Sequence, residues 1–203
     1  MEDMKITLER VGKDKVNWFV SGKDMDKMLI DKDTAMALQW ELMKEKFERY
    51  HRIKYKILHR QPFLGEVLLA LRFGLAECET CYTDMKHIVF DPDFMDRIND
   101  VEFEMLVLHE LYHCILNHCI RAKGKITELY NIACDIVVNS YIYKEYPRSS
   151  IGGLEFRHTY KEIEGSEYTA EEIYYDLLRN SGTSPNGQGE NSAGNGNGNG
   201  SNS

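Results

Sequence analysis

The chain has 203 residues, and its 33 acidic side chains outnumber its 25 lysines and arginines, which gives a formal net charge of -8. An acidic surface repels phosphate, so a general nucleic-acid binder is excluded and no nucleic-acid partner is expected. The N-terminal sequence MEDMKITLERVGKDK is too charged for a signal peptide, and no apolar stretch reaches the roughly 18 residues of a membrane span. We therefore expect a cytoplasmic protein with no membrane partner.

Composition predicts three parts. Residues 1–30 are an N-terminal extension, in which KITLERV and VNWFVSG, on either side of Gly12-Lys13-Asp14, predict a small hairpin. Residues 31–179 are long enough to bury one sizeable core. Residues 180–203 are rich in Gly, Asn and Ser and carry no large apolar side chain, which is typical of a disordered tail or a truncated linker.

The elements of the central part begin with a long helix over Thr34–His59, which ends before Gln61-Pro62 because the residue preceding a proline avoids helical geometry. Its basic side chains alternate with apolar ones and predict a solvated basic face: Lys44, Lys46, Arg49, Arg52, Lys54, Lys56 and Arg60. Residues Pro62–Phe73 predict a short helix or strand. The alternation in MKHIVF predicts a strand, which Asp91-Pro92 ends.

Two central helices follow, over Met105–Ile120 and Ile126–Tyr143. Asn99 or Asp100 can cap the first of them, and Glu102 and Glu104 suit the positive end of its dipole. A capping box, TAEE, then opens a last helix that runs through Leu178. The mixture predicts an α+β fold in which helices dominate and a small sheet lies beside the first central helix.

The most informative segment is His109-Glu110-Leu111-Tyr112-His113, which has the H-E-x-x-H spacing. Two histidines four residues apart lie on one face of a helix, so both imidazoles can bind one metal ion while Glu110 acts as the base on a bound water. The surrounding helix is apolar all round and belongs in a core, where unpaired imidazoles and carboxylates cost several kcal/mol. The alternative is a core histidine pair satisfied by neighbouring carbonyls.

A catalytic zinc site normally takes three protein ligands, and His118 is the nearest third candidate. It follows His109 by nine residues, which is half a turn out of phase while the helix continues, so we expect His118 to point away. In metzincins a glycine ends the helix at the position that Leu116 occupies here. We therefore predict that His118 packs or bonds locally.

Asp135 is the better third ligand. The basic, glycine-containing stretch RAKGK predicts a turn, and if the two helices run antiparallel, Asp135 comes level with His113. By the same count Asn139 comes level with His109. The predicted site therefore has His109, His113 and Asp135 as ligands of one zinc ion and Glu110 as the catalytic base.

The second central helix carries a narrow polar stripe on an otherwise apolar surface: Glu128, Asn131, Asp135 and Asn139. Such a stripe favours the lining of a cleft over an ordinary solvated face, and Cys134 points away from it. We predict Asn131 and Asn139 as cleft or outer residues of the site. His158 and Tyr160, in the stretch GGLEFRHTY, are candidates for stabilising an oxyanion.

The chain also contains five cysteines, an odd number typical of reduced thiols, and the lone pair Cys78 and Cys81 is weak evidence for zinc or redox chemistry.

Beyond these motifs, the segments RQPFLGEVLLALRFGLAE, TDMKHIVFDPDF, LVLHELYHCILNH, YNIACDIVVNS and TAEEIYYDLL occur in the order seen in a bacterial family of predicted zincin-like metal-dependent peptidases, often joined to a von Willebrand A-like domain. The chain resembles that family over about Leu38 to Leu178. The resemblance implies a zincin-like fold, His109, His113 and Asp135 as metal ligands, and partnership with a downstream von Willebrand A-like domain or an AAA-type ATPase.

These observations predict a zinc metalloendopeptidase of the H-E-x-x-H type, a hydrolase whose substrate is a peptide or protein. In zincins the substrate lies extended along an edge strand, and Lys86–Phe90 is the segment predicted to provide it. Two alternatives stay open: a catalytically inactive zinc-containing peptide-binding or regulatory module, and a structural protein with an accidental motif. Two imidazoles and a carboxylate also accept iron, cobalt or manganese.

Overall fold

A computed structural model describes residues 5–10, 16–22, 25–148 and 150–181. The turn predicted at Gly12-Lys13-Asp14 and nearly all of the tail predicted at 180–203 lie outside these residues. At the N-terminus, strand β1 (Lys5–Arg10) pairs antiparallel with β2 (Val16–Gly22), as the predicted hairpin requires. A third strand that the sequence did not indicate, β3 (Met25–Ile30), adds to β2.

A long helix and a short one follow in close contact. Helix α1 spans Lys32–Arg60, and the Asp31 side chain caps it by accepting a hydrogen bond from the Thr34 backbone N–H at 2.9 Å. Helix α2 spans Pro62–Ala70 and begins at the proline. A Cβ added to Gly65 would lie 2.4 Å from the Leu58 Cα atom, so the close packing of α2 on α1 requires glycine at this position.

The central sheet has three strands: β4 (Arg72–Leu75), β5 (Cys81–Thr83) and β6 (His87–Phe90). Strand β6 lies in the middle, parallel to β4 and antiparallel to β5. The prediction that Lys86–Phe90 forms the substrate-binding edge is therefore wrong. Ile88, Val89 and Phe90 are all buried, as in a strand covered on both sides, and the two edge strands are β4 and β5.

Two capped helices connect this sheet to the centre of the molecule. The Asp91 side chain caps α3 (Pro92–Arg97) by accepting from the Phe94 backbone N–H at 2.8 Å. Helix α4 (Asp100–Ile115) opens with a capping box in which Asn99 and Glu102 each accept from the other's backbone N–H. Glu104 was predicted to interact with the positive end of the helix dipole, but it is 1% exposed and forms ion pairs with two cations of α1.

Helix α4 ends earlier than the sequence indicated. Leu116 follows the last helical residue, and Asn117 adopts the left-handed conformation with φ of 55°, so the chain turns before α5 (His118–Arg121). Helix α6 (Thr127–Tyr143) then runs back along α4. Four two-residue strands and a short helical turn lead to the last helix: β7 (Ser150–Ile151), β8 (Leu154–Glu155), β9 (Thr159–Tyr160), β10 (Ile163–Glu164), the turn Gly165–Glu167 and α7 (Ala170–Ser181).

Two apolar cores hold α4 and α6 in place. The larger one surrounds α4 and joins it to α1, α2, α3 and the central sheet, with Phe103, Met105 and Leu111 fully buried. The smaller one lies between α6 and α7 and contains Tyr130, Cys134 and Tyr174. Cys134 therefore faces this core rather than the polar stripe, as predicted.

The basic face of α1 is not solvated in the way the sequence indicated. Lys46 bonds Asp96, Arg49 bonds Asp100, and Lys56 and Arg60 both reach Glu104. The acidic partners lie on α3 and α4, more than forty positions along the chain, so the periodicity of α1 alone does not reveal them. Four of the seven basic residues are thus paired with another helix, whereas Lys44 and Arg52 are exposed as predicted.

The architecture is helix-rich with small sheets, which agrees with the predicted α+β class. Among the described residues, no helix is both long and apolar enough to cross a membrane.

Candidate metal centre

Three side chains predicted as metal ligands converge at one point between α4 and α6. The Asp135 Oδ1 atom lies 3.2 Å from His113 Nε2 and 3.5 Å from His109 Nε2. The two Nε2 atoms are 3.0 Å apart. The His109, His113 and Asp135 donor atoms all lie within 4.8 Å of one another, close enough to hold a metal ion.

The convergence follows from the pairing of the two helices. His113 meets Asp135 and His109 meets Asn139, so the residue numbers rise along α4 as they fall along α6. That is the antiparallel register predicted from equal distances to the intervening turn. The apolar side chains on both sides of the motif anchor α4 in the larger core and leave its two imidazoles facing α6.

Asn139 determines which nitrogen of His109 carries a proton. Its amide nitrogen donates to the Arg157 carbonyl at 3.0 Å, which turns the amide oxygen toward His109 Nδ1 at 2.9 Å. Because that oxygen can only accept, His109 Nδ1 is the donor. Any second proton of the ring is therefore on Nε2, the nitrogen that faces Asp135, and losing that proton leaves the tautomer a metal ligand needs.

His118 bonds locally, as predicted, but it does not point away from the motif, contrary to the prediction. The prediction assumed a continuous helix, whereas the left-handed Asn117 turns the chain and brings His118 Nδ1 to 3.2 Å from His113 Nδ1. His118 is 3% exposed, and burial followed by the charges of His113 and Arg121 lowers its pKa to about 3, so it is neutral and can accept. It contacts the far side of His113 and lies outside the metal-ligand group.

The electrostatics of the group favour a positive charge at its centre. Burial lowers the pKa of His109, but the hydrogen bond and charge of Asp135 outweigh burial and raise that pKa to about 9. Burial likewise raises the pKa of Asp135, but the hydrogen bonds from His109 and His113 reverse this and hold the pKa well below its ordinary value. Without a metal, the three side chains thus retain a proton where a cation would fit.

Glu110 lies beside this group on the same cavity. The residue is 6% exposed, and its Oε1 atom accepts a hydrogen bond from the Cys81 thiol at 2.9 Å. Burial, followed by the charge of Glu110, raises the pKa of Cys81 well above its ordinary value, so the thiol stays protonated and donates. Sequence reasoning missed this contact, because the Cys78 and Cys81 spacing carries no information about which helix β5 lies against.

A cavity of about 370 Å³ opens over the three ligands and Glu110. Asn131 and Asn139 line it, as the polar stripe of α6 predicted, whereas Glu128 is exposed and outside it. Residues 80–83 of the β5 edge form one wall. A second part of the lining is formed by Phe94, Leu106, Ile151, Leu154, Glu155 and Phe156.

The two candidates for oxyanion stabilisation lie elsewhere. The His158 ring stacks on Tyr143 with 3.6 Å between ring centroids, and the Tyr160 hydroxyl donates to Asp176 on α7. Neither residue is among those that line the cavity.

Residues 45–203 match a family model described as "Putative metallopeptidase domain". No curated protein matches the chain, and no solved structure matches it.

Proposed function

The chain belongs to the metallopeptidase family whose model matches residues 45–203, and from this premise we propose that it is a zinc-dependent endopeptidase. The observation that carries the proposal is the meeting of three metal-binding side chains with Glu110 on the floor of one cavity beside a strand edge. A zincin-like arrangement of helix and sheet is part of the same proposal.

The donor set fits zinc. Two imidazole nitrogens and one carboxylate oxygen are a three-ligand set of catalytic zinc sites, which leaves a further position open. His109, His113 and Asp135 would hold the ion, with Asn139 and His118 orienting the two imidazoles. When bound, zinc supplies a Lewis acid that polarises the substrate carbonyl and lowers the pKa of water to about 7.

Glu110 is placed to move the proton in peptide hydrolysis. As water oxygen bonds to the carbonyl carbon, the carboxylate accepts a proton from that water. When the carbon–nitrogen bond breaks, Glu110 returns the proton to the leaving amine. Its neighbour Cys81 donates to Oε1, so we assign the proton transfer to the other carboxylate oxygen. General acid–base catalysis of this kind contributes about 10²–10⁴-fold in rate.

The β5 edge is the surface on which we propose that the peptide lies. Strand β6 pairs with one side of Cys81–Thr83, and β5 ends the order β4-β6-β5, so within the described part of the chain no strand pairs with its other side. An added peptide strand would pair there, next to the Cys119 thiol that donates to the Thr83 carbonyl at 3.6 Å. Residues 80–83 line the cavity, so an added strand would pass directly over Glu110 and the ligand group. This edge replaces the Lys86–Phe90 segment predicted from the sequence.

Metal content and cleavage test the proposal together. We expect the purified protein to bind one equivalent of zinc, and His113→Ala to lose it. On a library of short, terminally blocked peptides, Glu110→Gln should lower turnover by about 10²–10⁴-fold while zinc content stays unchanged. Glu128→Gln, an exposed change on α6 outside the cavity, is the matched control and should leave both unchanged.

The outcomes separate the remaining alternatives. Zinc below half an equivalent, unaffected by His109→Ala or His113→Ala, would reject the metal site altogether. Stoichiometric zinc with no peptide cleaved, or with equal cleavage by Glu110→Gln, would reject the peptidase and leave a zinc-containing binding module. Association with a von Willebrand A-like domain or an AAA-type ATPase remains a prediction from resemblance.

A further inference from the structure

One part of the cavity lining is made almost entirely of apolar side chains, with Glu155 as its exception. Phe94, Leu106, Ile151 and Phe156 are buried, and Leu154 stands at the rim, half exposed. We propose that this wall, here called the apolar wall, binds one large apolar side chain of the substrate next to the bond that is cleaved. The proposal rests on the proposed peptidase function and adds the substrate class to it.

The apolar wall begins directly at the metal group. Leu106 precedes His109 by three residues on α4, so both side chains share one face of the helix. The Phe156 ring lies with its centroid 6.4 Å from that of His109. A side chain bound there therefore belongs to a residue close to the carbonyl held at the ligands.

The hairpin of β7 and β8 gives the apolar wall a fixed position. Gly152 and Gly153 form its turn with φ of 54° and 84°, a conformation that favours glycine. A Cβ at Gly152 would lie 2.7 Å from Ile98 Cγ2 and 3.0 Å from Phe94 Cζ, so the turn is packed against the core. Packing thus fixes the position of the hairpin. Its paired residues Ile151 and Leu154 both line the cavity.

The two walls together determine which side chains fit. Along a peptide added to β5, successive side chains point to opposite faces, so every second one is directed differently from its neighbours. A side chain that meets the apolar wall loses contact with water, and among the wall residues only the exposed Glu155 could pair with a charged or amide group there. A leucine, methionine or phenylalanine side chain gives up no hydrogen bonds to water there, and burying its apolar surface favours binding.

Leu154 offers a direct test, because it is 50% exposed and can be replaced without opening the core. We expect zinc-loaded wild-type protein to cleave the peptide library with a large apolar residue at one position adjoining the cleaved bond. Leu154→Lys should lower cleavage of these peptides by at least about ten-fold, since even one methylene in an apolar pocket discriminates by about 10–200-fold. It should also shift the preference toward acidic residues at that position.

The matched control is Ile163→Lys, which changes a 48% exposed apolar residue of another two-residue strand outside the cavity. This variant should retain the wild-type preference. Cleavage without an apolar preference, or a preference unchanged in Leu154→Lys, would overturn the apolar wall while the peptidase function stands.

Binding separates the two proposals if nothing is cleaved. The zinc-loaded Glu110→Gln protein is titrated with the same fluorescently labelled peptides, with and without Leu154→Lys. Tighter binding of apolar peptides that Leu154→Lys abolishes would support the apolar wall although the peptidase assignment had failed. Equal binding of apolar and polar peptides would reject the wall.

Discussion

Helix α4 carries two clusters of ionisable side chains about a turn and a half apart, and they are built in opposite ways. In the first, the Glu104 carboxylate is 1% exposed and lies between Lys56 and Arg60 of α1, with Arg60 Nη1 at 3.0 Å. In the second, the electron-pair donors of His109, His113 and Asp135 converge within 4.8 Å. We call them the closed cluster and the open cluster.

The signs of the converging groups distinguish an ion pair that stabilises the fold from a group of side chains that can bind a cation. In the closed cluster a buried carboxylate is paired with two basic side chains of the same protein, so its charge needs no added ligand. In the open cluster three groups that can each bind a cation face one another, and only a proton or a metal ion satisfies them. Both clusters consist of charged or ionisable groups, whereas the sign of the groups that converge differs.

The largest expected effect comes from opening the closed cluster. In the double variant Lys56→Met and Arg60→Met, Glu104 remains buried without a partner, which typically costs about 3–5 kcal/mol of unfolding free energy. Urea unfolding should show this loss equally with and without zinc. Replacing Lys44 and Arg52, two exposed cations of the same helix, by methionine is the control. If both double variants lost the same stability, the closed cluster would not be a supporting ion pair.

A smaller effect is expected from the outer partner of the open cluster. Asn139→Ala removes the acceptor that orients His109, and such changes typically lower metal affinity by about 10–100-fold. Competition with a zinc chelator measures this directly. Asn131→Ala, which changes a cavity residue on the same helix, should retain wild-type zinc affinity. Equal losses in the two variants would mean that Asn139 acts through the fold of α6 and not through His109.

The open cluster was predictable from the sequence because its geometry is local. Rise and turn per residue are constant along a helix, so counting from one turn was enough to bring Asp135 level with His113. The cap of α4 at Asn99, the capping box between Thr169 and Glu172 at the start of α7, and the long α1 follow from the same kind of short-range rule.

The features that the sequence did not reveal depend on contacts between distant segments or on one backbone angle. The position of His118 depends on Asn117, a non-glycine residue with positive φ, and no periodicity predicts that conformation. The edge position of β5 depends on the order of strands in the sheet, which three residues, CYT, cannot specify. The closed cluster joins α1 to α4 across 44 and 48 positions, so the pattern of α1 alone suggested a solvated face.

A third cluster of ionisable side chains, around Glu171 on α7, is built like the closed cluster. Glu171 accepts from Arg121 Nε at 3.1 Å and from the Tyr130 hydroxyl at 2.9 Å, with Lys125 Nζ at 3.5 Å. Burial raises the pKa of Glu171, but these bonds, led by that of Arg121, outweigh burial and lower the pKa to about 2. Opposite charges converge here as they do at Glu104.

The lowered pKa determines how this cluster responds to acid. Because the folded protein favours the ionised form, its contribution is fully present above the ordinary pKa of 4.5 and is lost as the pH falls toward about 2. Glu171→Gln should therefore lower the unfolding free energy by roughly 1–3 kcal/mol at pH 7. The difference from wild type should shrink steadily below pH 4.5. Glu167→Gln, an exposed change four residues earlier, is the control and should leave the unfolding free energy unchanged at every pH. If the loss of stability in Glu171→Gln did not depend on pH, its effect would come from packing instead of charge.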